Sequence, residues 1–396
     1  MEEFIKSISP MIMNNKKILW VTPWFGNYRV PVYEQINKLS NGNFHLICSS
    51  KQTSKLVRNK LYNTLGKNVI VLDDEKEFVI GNRSTTFANK SIVIKWQKGL
   101  YTEIKRINPD VIIVEGFGSW SPAGIIYSII HRKKLCMFYE RTAYVERHAK
   151  VISKLYRRFV GQFVKVFLVN GHLTEEYLKN GLGFRKTPIQ KGCMAADSQG
   201  LSEAVAKVSD NQIQKLRNDL KFNKGLTYLF VGQIVCRKGI VELLKAWTKH
   251  IKKYPDDNLI VIGKGVLQRQ IQNEYVSISS IHILGEVSYD KINLYYALAD
   301  VFFMPTLEDN WCLVLPEAMA CGLPVACSIY NGGTSELIEN GKNGYAFDPK
   351  NENDILEKLS LFHAADLSAM GKQSILIESR FTPAIAGANI YKACLK

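Results

Sequence analysis

A chain of 396 residues with 46% hydrophobic content is too long for one compact core and suits two domains of middling size. No run of about 20 residues is free of polar interruption, which excludes a spanning helix, and the eight cysteines show no two-residue spacing of the kind zinc and redox sites use, so neither a metal nor a disulfide is expected. The net charge of +16 belongs to the first half: residues 1–200 hold 31 Lys and Arg against 15 Asp and Glu, while residues 201–396 hold 21 of each, so something anionic is expected to meet that half.

The start of the chain carries Glu2 and Glu3 and has neither a basic first region nor a small-residue cleavage site, so a chain that stays in the cytoplasm is expected. Strand-like apolar runs then alternate with helical patterns, the sign of a parallel sheet with crossover helices. Strands are expected at 17–22, 44–48, 69–72, 111–114, 135–139 and 166–169, with a helix over 29–39. Around residues 193–208 the pattern lapses into small and polar residues, and a linker is placed at 196–208. A second series follows, with strands at 227–231, 258–262, 281–284, 301–304 and 324–327 and helices at 239–252, 355–362 and 383–395. The expected architecture is α/β: two facing Rossmann-like, doubly wound parallel-sheet domains, 1–195 and 209–380, with a closing helix over 381–396 returning to the first. Open parallel sheets bind ligands beyond the carboxyl ends of their strands, so the cleft between the two domains is the expected site.

Three segments of the second domain carry chemistry. Residues 304–336 place Glu308 and Asp309 in a loop after a strand, start a helix near Leu313 and set Glu317 one turn inside it. Amides at a helix start lack partners and favour anions, so Cys312, Leu313 and Val314 are expected to cradle a diphosphate, Glu317 to accept from ribose hydroxyls and Asp309 to hold a sugar. The second segment is Gly232, Gln233 and then Arg237-Lys238-Gly239, a glycine turn with two cations suited to a departing diphosphate. The third, with Gly263 and Gly285, is a pair of glycine turns.

These residues resemble the retaining family 4 glycosyltransferases of GT-B fold, the "glycosyl transferases group 1" type. The match lies in two acids separated by seven residues, Asp309 and Glu317, the Glu-Ala-Met-Ala-Cys-Gly-Leu-Pro-Val run that begins at Glu317, and the Gly-Gly-x-x-Glu ending at Glu336. The resemblance implies that Asp309 contacts the donor hexose, Glu317 the ribose, Lys238 and Arg237 the leaving diphosphate, and the Gly263 and Gly285 turns the base. Asp309 stands where the family usually has Glu, and Gln233 where it has Arg. Its catalytic-lobe His is replaced by Glu140-Arg141-Thr142, so no general base is assigned; Gly26, Asn27 and Glu140 are candidates for an acceptor or phosphate loop.

The expectation is therefore a glycosyltransferase, of hexosyltransferase type, moving a hexose-type sugar from a UDP- or GDP-sugar to a lipid-linked glycan acceptor in cell-surface polysaccharide, lipopolysaccharide or glycolipid synthesis. It would need no cofactor or metal, and would act as a peripheral protein on the cytoplasmic membrane face. Alternatives on the same scaffold are a nucleotide-sugar epimerase, a phosphorylase, or an inactive transferase serving as an assembly partner. Residues 132–165 hold ten cations against Glu140 and Glu146. Lys150, Lys154 and Arg158 recur four apart beside apolar Ile152, Leu155, Tyr156, Phe159 and Phe163. The apolar stripe is expected to pack on its own sheet, while the charge favours an anionic membrane, at about 1 kcal/mol per cation, over nucleic acid, for which no recognition module is present.

Overall fold

The computed structural model describes residues 15–24, 26–80, 92–288 and 291–396, so the reading of the acidic start at Glu2 and Glu3 lies outside the described residues. The strands are β1 (Ile18–Val21), β2 (Phe44–Ser49), β3 (Val69–Leu72), β4 (Lys76–Ile80), β5 (Ile92–Trp96), β6 (Val111–Glu115), β7 (Lys134–Tyr139), β8 (Val166–Val169), β9 (Ile189–Gln190), β10 (Thr227–Val231), β11 (Asn258–Ile262), β12 (Ile281–Gly285), β13 (Val301–Met304), β14 (Val325–Ser328) and β15 (Gly344–Phe347). The apolar runs of β1, Ile18-Leu-Trp-Val, and β13, Val301-Phe-Phe-Met, are buried throughout, as strands covered on both faces must be.

The chain divides into two compact units at Ala195 and Ala196, with Pro383–Lys396 returning to the first. The first unit holds a parallel sheet in the order β3-β2-β1-β6-β7-β8-β9 and the antiparallel hairpin β4-β5; the second holds a parallel sheet in the order β12-β11-β10-β13-β14-β15. In each the strand order reverses beside the first strand, at β1/β6 and at β10/β13. Such switch points leave a crevice at the carboxyl ends of the strands, where a ligand can enter without crossing a connection.

The closing helix, Pro383–Leu395, packs on helix Val30–Leu39 of the first unit. Gly387 permits that approach, since a Cβ there would lie 2.7 Å from that of Gln35. Lys134 Nζ donates to the carbonyls of Ala393 and Cys394 at 2.8 and 3.1 Å, placing a cation on the helix carboxyl end.

Two expectations are corrected. The linker at 196–208 contains a helix, Ser198–Val205, which packs on helices Ile292–Leu298 and Val314–Ala320 of the second unit. Ser198 Oγ donates to Glu378 at 2.6 Å, so tertiary contacts order a segment of small and polar residues. The apolar stripe of helix Val151–Gly161 does not pack inward. The inward face is built from Val160, from Gly161 against the ring of Phe184, and from Arg157, which pairs with fully buried Glu146. Val151, Ile152, Leu155 and Phe159 point to solvent. No helix among the described residues is long and apolar enough to cross a membrane.

Candidate functional site

The carboxyl ends of β10, β11 and β12 are stitched by glycine backbone. Gly232 N donates to Ile262 O at 3.0 Å, and Gly263 N to Gly285 O at 2.7 Å. Gly263 has φ +141°, and a Cβ on it would lie 1.8 Å from Gly232 O, so only glycine fits. Beyond β10 the turn Cys236–Lys238 ends on Gly239. The Arg237 carbonyl accepts from Leu307 N at 2.8 Å, Glu308 N at 3.2 Å and Thr306 Oγ1 at 3.1 Å, which docks this turn onto the loop leaving β13.

That docking brings together two groups far apart in sequence: Lys238 Nζ donates to Asp309 Oδ2 in an ion pair whose side chains are both largely buried. Burial opposes the charge on each. Asp309 outweighs it for the lysine, whose pKa is raised, and Lys238 with help from Arg237 outweighs it for Asp309, which stays below the ordinary carboxylate range. The other oxygen of Asp309 accepts from Trp311 N at 3.3 Å, and its backbone exchanges bonds with Tyr330 O and Gly332 N at 3.2 and 3.0 Å. Glu308, next to it, is buried. Arg237 Nη2 donates to Gln233 Oε1 at 2.8 Å, so the residue at the expected arginine position holds the arginine four residues on.

Glu317 lies half-buried on helix Val314–Ala320. Burial, reinforced by the charge of Asp197 and opposed by the Tyr296 hydroxyl, pushes its pKa up to about 8, so the free carboxyl is protonated near neutral pH. Leu313 and Val314 are half-exposed at the helix start. The expected set of three amides needs correction at Cys312: its N–H donates to buried Asn331 Oδ1 at 2.9 Å and is spent. Asn331, the residue just before the Gly-Gly-x-x-Glu stretch, holds the two halves of the segment together, its amide nitrogen donating to Thr334 Oγ1 at 3.2 Å. Glu336 is half-exposed on the short helix Thr334–Leu337.

In the first unit, the residues proposed for an acceptor loop meet a buried cation that sequence reading missed. Arg29 pairs with Glu140, at the end of β7, and with Glu115, at the end of β6. Glu115 also accepts from the Thr22 hydroxyl after β1. Arg29 N donates to Gly26 O at 3.2 Å, and Asn27 opens the turn Asn27–Arg29 that carries the arginine. An arginine at a helix entry reads as solvated, and nothing in sequence spacing points it at residues 115 and 140. At the amino end of β11, Asp257 Oδ2 lies 2.7 Å from His250 Nε2 and 2.8 Å from His363 Nε2, hydrogen-bond separations. This cluster stands at the opposite end of the sheet from Lys238 and Asp309.

Residues 197–371 match the family described as Glycosyl transferases group 1. An uncharacterized glycosyltransferase of Haemophilus influenzae is 30% identical over 155 residues, 38% of this chain and 41% of that protein. The alpha-monoglucosyldiacylglycerol synthase of Acholeplasma laidlawii is 25% identical over 279 residues, 66% of this chain and 68% of that one. In fold, the chain is similar to the crystal structure of Anabaena Alr3699/HepE in complex with UDP, with a TM-score of 0.73 at 16% identity, covering 95% of this chain and 98% of that one. The switch-point geometry, the matched segment and the two-sheet likeness agree: residues 197–371 are similar to the glycosyl transferases group 1, a family of transferase enzymes, and the chain has the GT-B fold.

Proposed function

We propose that the protein is a retaining glycosyltransferase that moves a hexose-type sugar from a UDP- or GDP-sugar to a glycan acceptor, lipid-linked and met at a membrane face, in polysaccharide, lipopolysaccharide or glycolipid synthesis. The observation that carries this reading is the buried Lys238–Asp309 pair at the β10/β13 switch point, flanked by the Gly232 and Gly263 turns. Lys238 and Arg237 stabilise the diphosphate as the bond from its oxygen to the sugar breaks and the electron pair moves onto that oxygen. Asp309 accepts from sugar hydroxyls while holding Lys238 charged. Glu317 takes the ribose hydroxyls, and the amides of Leu313 and Val314 face phosphate. The acceptor oxygen bonds to the sugar on the face the diphosphate leaves, and the departing phosphate oxygen takes the acceptor proton. No metal is required in this scheme, because Lys238 and Arg237 supply the countercharge.

Two of the similar proteins support the reading, one an alpha-monoglucosyldiacylglycerol synthase and the other solved in complex with UDP. The test is transfer from UDP- and GDP-sugars to lipid-linked glycans, with the product anomer read by NMR. Retention at the anomeric carbon, with Lys238→Met lowering the rate by about 10² or more, is expected. An inverted product, or a sugar nucleotide altered with no acceptor present, would reject it.

A further inference from the structure

The outward face of helix Val151–Gly161 is the reverse of a normal surface helix. Val151, Ile152, Leu155 and Phe159, spaced so that they share one face, are 73%, 70%, 57% and 63% exposed. Soluble proteins seldom leave four large apolar side chains contiguous and uncovered. Lys150, Lys154 and Arg158 recur four apart and run along one edge of this face. None of the three is paired with a carboxylate among the described residues, whereas Arg141 and Arg157 are both held by Glu146 on the inner side. No acidic residue occurs between residues 150 and 165.

The helix is therefore sorted three ways: a polar and small inner face that anchors it, an apolar outer face, and a margin of cations that no carboxylate among the described residues offsets, Arg158 donating to the Gly181 carbonyl at 3.3 Å. We infer that this helix is the protein's bilayer-docking element: it lies flat on an anionic lipid surface, with Val151, Ile152, Leu155 and Phe159 entering the acyl boundary and Lys150, Lys154 and Arg158 at the phosphates. The cations select a negatively charged surface, and the apolar side chains select one that can be penetrated. A phosphorylated or acidic soluble partner would meet only the first demand. The inference deepens the membrane-facing part of the proposed function and stands on the first unit alone, without the donor chemistry.

The test is co-sedimentation with vesicles of phosphatidylcholine, with and without phosphatidylglycerol, and calorimetric nucleotide-sugar binding on the same samples. Wild type is expected to pellet with the phosphatidylglycerol vesicles and to be released as salt rises. The triple variant Ile152→Asp, Leu155→Asp, Phe159→Asp is expected to lose partition by about tenfold or more. Lys150→Glu with Lys154→Glu is expected to lose the preference for phosphatidylglycerol. Because these side chains are exposed, both variants should keep the wild-type melting temperature and donor affinity. Wild type ignoring both vesicles, or the triple variant pelleting like wild type, overturns the inference. So does a wild-type dimer that the triple variant dissociates without changing vesicle binding, since the face would then belong to a second copy. Loss of vesicle binding with donor binding intact counts against the docking helix alone; absence of donor binding with vesicle binding intact counts against the donor reading alone.

Discussion

At the scale of single residues, the second unit sets two acids in contrasting states a short distance apart along the chain. Asp309 is held ionised by Lys238 despite its burial, whereas half-buried Glu317, pushed by desolvation and by the charge of Asp197, has its pKa raised to about 8. The contrast has a thermodynamic consequence. A carboxyl whose folded pKa exceeds its unfolded one binds more protons folded than unfolded, so its contribution to stability is complete below the unfolded value of 4.5 and is lost as pH rises through about 8. Denaturant unfolding of wild type should therefore lose up to about 1.4 kcal/mol per pH unit across that window from this group. Glu317→Gln should flatten that slope, and an unchanged slope would mean that Glu317 does not titrate there. If ribose hydroxyls bond to the carboxylate form, donor binding near neutral pH also expels a proton, which calorimetry in buffers of different ionisation enthalpy would record. The pairing of Lys238 with Asp309 shows what sequence cannot carry. Both residues stand in recognisable motifs, but their contact depends on the Arg237 carbonyl accepting three bonds from residues 306–308. The loss of the Cys312 amide to Asn331, nineteen residues on, is equally invisible in the sequence.

At the scale of elements, what was legible follows from burial. The strands β8 and β13 begin and end where continuous apolar runs do, because a strand covered on both faces has no polar side to blur its edges. The two-residue β9 and the glycine-led β15 have too few side chains to form a pattern, and the hairpin β4-β5 carries Lys76, Glu77 and Lys95 at its open end, which interrupts its apolar run. Helix Ser198–Val205 escaped notice because its composition favours a loop and its order comes from packing. Periodicity did identify the amphipathic helix at Val151–Gly161, but a period fixes which residues share a face and not which way that face turns. The closing helix offers a test of element docking. Lys134 caps its carboxyl end from β7, so Lys134→Ala should lower the stability of the protein by about 1–2 kcal/mol in a denaturant titration. Lys134→Arg should recover part of that loss. No change in the alanine variant would show that packing on Val30–Leu39 suffices without the cap.

At the scale of the whole molecule, charge and chemistry are divided between the units. The matched family residues and every group proposed for the nucleotide sugar lie in the second unit, whose half of the sequence is neutral. The basic excess, the buried Arg29 with its two glutamates and the outward-facing apolar helix lie in the first. Under the proposed function, this division assigns the nucleotide sugar to the second unit and the acceptor to the first. A nucleotide is recognised by glycine turns and paired charges at fixed spacing, whereas the surface face of helix Val151–Gly161 is known only once folding decides which side of the helix turns outward. The central claim is that the second unit binds a nucleotide sugar around Lys238 and Asp309. Isothermal titration calorimetry of wild type and Lys238→Met against a panel of UDP- and GDP-sugars tests it most directly. Saturable binding of at least one donor by wild type, weakened about tenfold or more in the variant, is the predicted result; no binding across the panel, or equal affinity in the two proteins, would contradict it.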